Sequence, residues 1–127
     1  MDQETEIARW RVEPQAVEAY LEATEDSLTL YRERGLVPPA GLAAWALGSL
    51  LQWLALPPGA VHVAQEVEMQ RPVQWGEELV CTARLAQSSL RGGSQFLVVE
   101  FALADGDGVE VLQGKATVLL PSQGGSP

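Results

Sequence analysis

Leu42-Ala-Ala-Trp-Ala-Leu-Gly-Ser-Leu-Leu-Gln-Trp-Leu54 decides the fold. It lies inside a window, Leu36 to Gln65, that holds no Asp, Glu, Lys or Arg, and wound as a helix it is apolar on every side. A helix apolar all round is a buried helix. Pro38-Pro39 before it and Pro57-Pro58 after it hold it to about 17 residues, roughly 25 Å at 1.5 Å per residue, which is marginal for a membrane span. The rest of the chain therefore has to wrap around it.

Downstream, the apolar residues repeat with period 2, the signature of strands. In Val61 to Gln70 the odd positions are Val61, Val63, Gln65, Val67 and Met69, and His62, Glu66 and Glu68 alternate with them, which predicts a half-buried strand. Arg71-Pro-Val-Gln-Trp-Gly76 interrupts the pattern, because Pro72 has no N–H for a central ladder and Gly76 permits a turn. Leu79 to Gln87 then sets Leu79, Cys81, Ala83 and Leu85 on one face, and Phe96 to Leu103 does the same with Leu97, Val99, Phe101 and Leu103. Arg91-Gly-Gly93 and Asp105-Gly-Asp-Gly108 mark the reversals, the second a strong hairpin signal before a last strand from Val109 to Leu120 in which Gly114 suggests a bulge.

Upstream, Ile7 to Val12 is a short strand candidate. Pro14 opens a helix of two to three turns that reaches Ala23 with Ala16, Val17, Tyr20 and Leu21 on one stripe. Thr24-Glu-Asp-Ser27 is rich in capping residues, Leu28 to Arg34 reads as a second short helix, and Gly35 suits its C-terminal cap. A helix-first chain followed by three or four long strands in a meander predicts an α+β domain over residues 1–120, with a curved antiparallel sheet wrapped around the long central apolar helix. Residues 121–127 read as a disordered tail.

Composition narrows the function. The 127 residues fit a single domain, and 17 acidic against 8 basic residues give a net charge of −9, which argues against nucleic acid or an anionic membrane surface as a partner. The opening Met-Asp-Gln-Glu-Thr-Glu has no basic or apolar signal region, and a single Cys81 forms no intrachain disulfide, so the expected location is cytoplasmic. One His and one Cys make a transition-metal site a poor fit, so no metal and no cofactor are expected. Cys81, alternating with Leu79, Ala83 and Leu85, reads as a small buried hydrophobe, and Trp45 and Trp53 as packing residues on one helix face.

The series Tyr20-x-x-Ala23-Thr24-x-Asp26, then Gly35-x-x-Pro38-Pro39, then the apolar helix, then Leu56-Pro-Pro-Gly59 through Gln65 to Arg71-Pro72-Val73-x-x-Gly76-Glu77 resembles the MaoC-like dehydratases and (R)-enoyl-CoA hydratases of the hot dog superfamily. It is most similar to the branch that includes the N-terminal half of fatty-acid-synthase-type dehydratases and mesaconyl-CoA hydratase domains. The likeness runs over residues 12–120 and implies a single hot dog domain. It also implies an Asp, with a His five residues later, that together activate water for addition across the double bond of an enoyl thioester. The Asp position matches Asp26, the His position falls on Tyr31, and the Gly before the Asp is Glu25. A phenol at neutral pH donates a hydrogen bond and is a poor base. Loss of a general base costs roughly 10²- to 10⁴-fold, so weak or altered activity is what this departure implies. Read without the resemblance, Asp26 is also the N-cap of the Leu28–Arg34 helix and Tyr31 a core or rim aromatic.

The resemblance further implies that backbone N–H groups at the start of the central helix polarise the thioester carbonyl. That place is Pro38-Pro39-Ala40-Gly41, which makes Pro39 and Gly41 candidate substrate contacts, Gly41 the favoured donor; the same residues also simply start a helix. His62 is the only imidazole, a candidate substrate contact that alternation places among solvated residues beside Glu66 and Glu68. Gln65 sits on the otherwise apolar face, where an unpaired amide would cost about 1–3 kcal/mol. Either backbone at a subunit seam or an acyl thioester should bond it. Three functions follow: a hydratase or dehydratase acting on an acyl-CoA or acyl-carrier-protein thioester, a non-catalytic subunit of a hetero-oligomeric dehydratase, or a hot dog thioesterase using Glu25 or Asp26. In each, the long edge strand favours a homodimer or a heterodimer with a related hot dog subunit.

Overall fold

The computed structural model describes residues 3–24 and 30–121. Its elements run β1 (Thr5–Arg11), α1 (Pro14–Ala23), α2 (Leu30–Arg34), α3 (Pro39–Leu54), β2 (Val61–Met69), β3 (Glu78–Arg91), β4 (Ser94–Ala104) and β5 (Glu110–Leu120). The strands form one five-stranded antiparallel sheet in the order β1-β3-β4-β5-β2. The three helices precede four of the strands in sequence, so β1 and β2, neighbours in chain order, end on opposite edges.

Alternation in the central strands becomes burial. Leu79, Cys81 and Ala83 of β3, Val99, Phe101 and Leu103 of β4 and Leu112, Ala116 and Val118 of β5 all turn inward. Against them lie Leu42, Ala46 and Leu50 of α3, spaced four apart and so stacked on one helix face. Full burial of a Leu side chain contributes about 1.5–3 kcal/mol, so this single stripe anchors the helix. The meander is closed by Asp105, whose carboxylate accepts from the N–H groups of Asp107 (2.9 Å) and Val109 (3.0 Å).

Three expectations change. The central helix is not buried on every side in this chain: Ala44, Gly48 and Gln52 face outward, and Trp53 is 39% exposed. The reason is geometric: the sheet covers one face of α3, which packs over β1, β3 and β4 and not over the β2 edge, and among the described residues no second layer covers the other face. Accordingly β2 is exposed from Val61 to Glu68 rather than half-buried. Lastly, Gly114 is no bulge. It pairs in register with Phe101 and Val67, and the extra residue of β5 is Val111, where the partners step from Leu103–Leu112 to Ala104–Glu110.

A second bulge matters more for function. In β2 the register steps from His62–Val118 to Ala64–Thr117, which makes Val63 the extra residue. Directly opposed residues of an antiparallel pair point to the same face. His62 opposes the buried Val118 and Gln65 opposes the buried Ala116, so both lie on the helix side of the sheet. Glu66 and Glu68, opposite Lys115 and Gln113, lie on the outer side. Strict alternation groups His62 with those two carboxylates; one inserted residue separates them.

Candidate functional site

The start of α3 is held in place by a loop far away in sequence. Gly35 adopts φ 62°, the left-handed conformation that ends α2, and the next N–H, that of Leu36, returns to the Tyr31 carbonyl at 2.9 Å. Val37 N–H then donates to Val73 O (2.9 Å), Trp75 N–H to Gly35 O (2.8 Å), and the Trp75 indole Nε1 to Leu36 O (2.8 Å). These bonds tie Tyr31, the helix start and the Arg71–Glu77 loop into one unit. They explain why Gly35-x-x-Pro38-Pro39 and Arg71-Pro72-Val73-x-x-Gly76-Glu77 occur together.

The loop is itself braced by Arg71. Its guanidinium donates to Glu77 (2.8 Å), to Asp105 of the β4–β5 hairpin (2.7 Å) and to the Pro72 carbonyl (2.6 Å), while Glu77 also accepts from Gln74 N–H at 2.7 Å. The hydrogen bond from Arg71 is the main cause holding the Glu77 carboxyl below its ordinary value, and the same cause lowers Asp105. A carboxylate with a depressed folded-state pKa contributes stability above its unfolded pKa and loses it as pH falls through the folded value. Wild-type stability should therefore decline as pH drops below the ordinary 4.5 of Glu77. In Arg71→Leu that decline should be shallower, with lower stability at pH 7. Urea melts across pH 3–7 read both; parallel profiles for the two proteins would show that the fork carries no linkage.

At the first turn of α3, Pro39 is exposed and Pro38 buried. The Gly41 and Leu42 N–H groups both bond the Pro38 carbonyl, at 3.0 and 3.2 Å. Pro39 has no N–H, so among the described residues the backbone donor left over at this turn is that of exposed Ala40. Gly41 is buried under Tyr20: a Cβ there would lie 3.3 Å from Tyr20 Cε2, and the Tyr20 ring meets Trp45 edge-on at 6.4 Å. Tyr31 is half-buried against the core. Asp26 and Glu25 lie outside the described residues.

Beside α3 runs a groove of about 550 Å³ whose apolar lining includes Trp10, Ala16, Ala44, Trp45 and Gly48, and whose polar lining is Arg11, Glu13, Ser49 and Gln52. Gly48 has open space where a side chain would start. His62 and Gln65, on β2, belong to a different edge of the molecule and are exposed. Cys81 is buried, and burial pushes its thiol up to about 11, which leaves it a packing residue without nucleophilic character. Among the described residues no group of three or more His, Cys, Asp or Glu side chains is placed to hold a metal, and no helix is long and apolar enough to cross a membrane.

Sequence reasoning missed two elements of this site. The sequence does not single out Ala40, because which N–H is left at a helix start depends on whether the first turn opens with a three- or four-residue hydrogen bond. The groove was invisible because its walls come from β1, α1 and α3 together.

The fold is the hot dog fold, and it is shared with MaoC-like dehydratases and (R)-hydratases. No protein-family profile and no curated protein sequence matches the chain. Among solved structures, the (R)-hydratase from A. caviae involved in PHA biosynthesis superposes with a TM-score of 0.77 at 23% identity, covering 94% of this chain and 96% of that one. The MaoC-like dehydratase from Rhodospirillum rubrum gives 0.74 at 20% identity, covering 97% and 93%. A chain of the HadBC (3R-hydroxyacyl-ACP dehydratase) complex from Mycobacterium tuberculosis gives 0.72 at 17% identity, covering 88% and 90%.

Proposed function

We propose that this chain binds an acyl thioester, as acyl-CoA or on a carrier protein, and belongs to the enoyl-CoA hydratase and 3-hydroxyacyl dehydratase group with weak or altered turnover. The observation that carries this reading is the first turn of α3, where the N–H of exposed Ala40 has no backbone acceptor among the described residues, on the helix that also walls the groove. An N–H aimed at a thioester oxygen stabilises the negative charge that develops there when water adds to the conjugated double bond. The groove gives an acyl chain an apolar wall. Gly41 supports the turn by admitting Tyr20, and Pro39 fixes its backbone. Asp26 is the acid–base candidate, and Tyr31 stands where a second one would act. His62 and Gln65 are assigned to the subunit edge, where they contact substrate only once a partner brings its own site to that edge. A lone buried cysteine suits a reducing compartment such as the cytoplasm.

A second reading, a non-catalytic subunit paired with another hot dog chain, is favoured by the open β2 edge. Hydration of short and medium enoyl-CoAs by the purified chain, with free thiol followed in parallel, tests these readings together. Slow loss of the enoyl signal without thiol release is expected, and Gly48→Leu, which narrows the groove, should weaken the medium-chain thioester more than the short one. Binding of neither thioester to wild type would overturn the proposal, and stoichiometric thiol release would convert it to a thioesterase.

A further inference from the structure

Two indoles line the groove beside α3, Trp10 from β1 and Trp45 from α3, and the helices contribute only small residues to it: Ala16 on α1, Ala44 and Gly48 on α3. At Gly48 the space where a side chain would start is open. Trp10 is half-buried against the core. Trp45 is braced from behind, because its ring meets Tyr20 edge-on at 6.4 Å and 67°, and Tyr20 in turn packs against Gly41. The nearby polar groups are committed elsewhere or lie in solvent. The Arg11 guanidinium donates to the Gly76 carbonyl (2.9 Å) and the Ser49 hydroxyl to the Trp45 carbonyl (3.0 Å), while Glu13 and Gln52 are exposed. What the groove offers a ligand is aromatic surface and width.

A straight alkyl chain uses neither. An aromatic ring uses both, since edge-to-face and offset contacts between rings strengthen binding beyond the area they bury, by up to about tenfold. A ring also freezes fewer torsions on binding than an alkyl tail with the same number of carbons. Position along the helix says where that ring belongs. Ala44 and Trp45 follow Ala40 by about 6–8 Å at 1.5 Å per residue, and their side chains lean back toward the helix start. In an acyl thioester with an aryl group on its β-carbon, the ring begins three bonds of roughly 1.5 Å past the carbonyl carbon. With the thioester oxygen on the Ala40 N–H, such a ring reaches the Trp45 level of the groove.

We propose that the acyl group selected by this groove carries an aryl ring on its β-carbon, as in a phenylpropenoyl thioester, with the ring against Trp10 and Trp45. The proposal rests on reading the chain as an acyl-thioester binder and names the acyl class for that site. Trp45 is a specificity residue, Tyr20 the residue that positions it, and Gly48 leaves the width a ring needs.

Calorimetric titration of the full chain with phenylpropanoyl-CoA and with nonanoyl-CoA tests it, because the two acyl groups have equal carbon counts and neither has a double bond to hydrate. Wild type should bind the phenylpropanoyl thioester about tenfold more tightly. Trp45→Leu and Trp10→Leu, which keep apolar bulk and remove one ring each, should each cut that ratio about threefold, and thermal melts show whether they fold. Gly48→Leu, at an exposed helical position that tolerates the change, should weaken the phenylpropanoyl thioester more than the nonanoyl one. Equal affinities in wild type, tighter binding of the straight chain, or a ratio unchanged in the folded variants overturns the proposal and leaves thioester binding standing. Binding of neither thioester overturns the acyl-thioester reading and this proposal with it.

Discussion

Tyr31→His is expected to raise the rate of enoyl-CoA hydration by at least about a hundredfold, within the roughly 10²- to 10⁴-fold that a positioned general base contributes. The reason is the chemistry of the two side chains. A phenol, with an ordinary pKa of about 10, is almost wholly protonated at neutral pH; an imidazole, near about 6.5, presents a free ring nitrogen to most of the population. The position is suited to the exchange: the Tyr31 carbonyl is tied to Leu36 N–H, and the residues that follow are stitched to Val73 and Trp75, so a new side chain inherits a fixed backbone. The gain should appear in kcat with KM little changed, and the rate should acquire an acid limb near the imidazole pKa. Tyr31→Phe, which removes the hydroxyl without adding a base, should stay at or below wild type. A folded Tyr31→His protein that binds the thioester and turns it over no faster than wild type would remove Tyr31 from the chemistry.

The largest expected loss of stability comes from Gly114→Ala, at roughly 2–3 kcal/mol, or about 6–12 °C in Tm. A Cβ at this position collides with the Phe101 ring, and it also lies 2.9 Å from the Glu66 carbonyl on the other side of the strand. The ring can turn away at a cost, but the carbonyl belongs to the β2–β5 ladder and cannot. Phe101→Leu in the same background should recover part of the loss, the part due to the ring, and a double-mutant cycle separates it from the backbone part. Chemical denaturation giving Gly114→Ala a midpoint equal to wild type would contradict this account.

Much of the fold was legible because period and punctuation agreed. Leu79, Cys81 and Ala83, then Val99, Phe101 and Leu103, point inward as their alternation requires, and Asp105-Gly-Asp-Gly108 turns as its composition requires. What was not legible depended on counting across strands. Gly114 looked like a bulge when read along its own strand. Its role is set by Phe101, a residue of the neighbouring strand placed against it by register. Alternation puts His62 on the face opposite to the one it occupies because the parity of β2 changes at Val63, and nothing in Val-His-Val-Ala announces an extra residue. Arg71 was visible as part of a motif, but its bond to Asp105 joins two turns that only the meander brings together. At the candidate site, the sequence identified the helix start but not which N–H remains, since that is decided by the Pro38 carbonyl accepting from both Gly41 and Leu42.

Because of the bulge at Val63, the imidazole of His62 and the amide of Gln65 occupy one side of the open edge, and the carboxylates of Glu66 and Glu68 occupy the other. An edge of this kind has an up and a down. Any strand added to it meets an imidazole and an amide on one face and carboxylates on the other, so alignment along the edge and choice of face are settled in a single event.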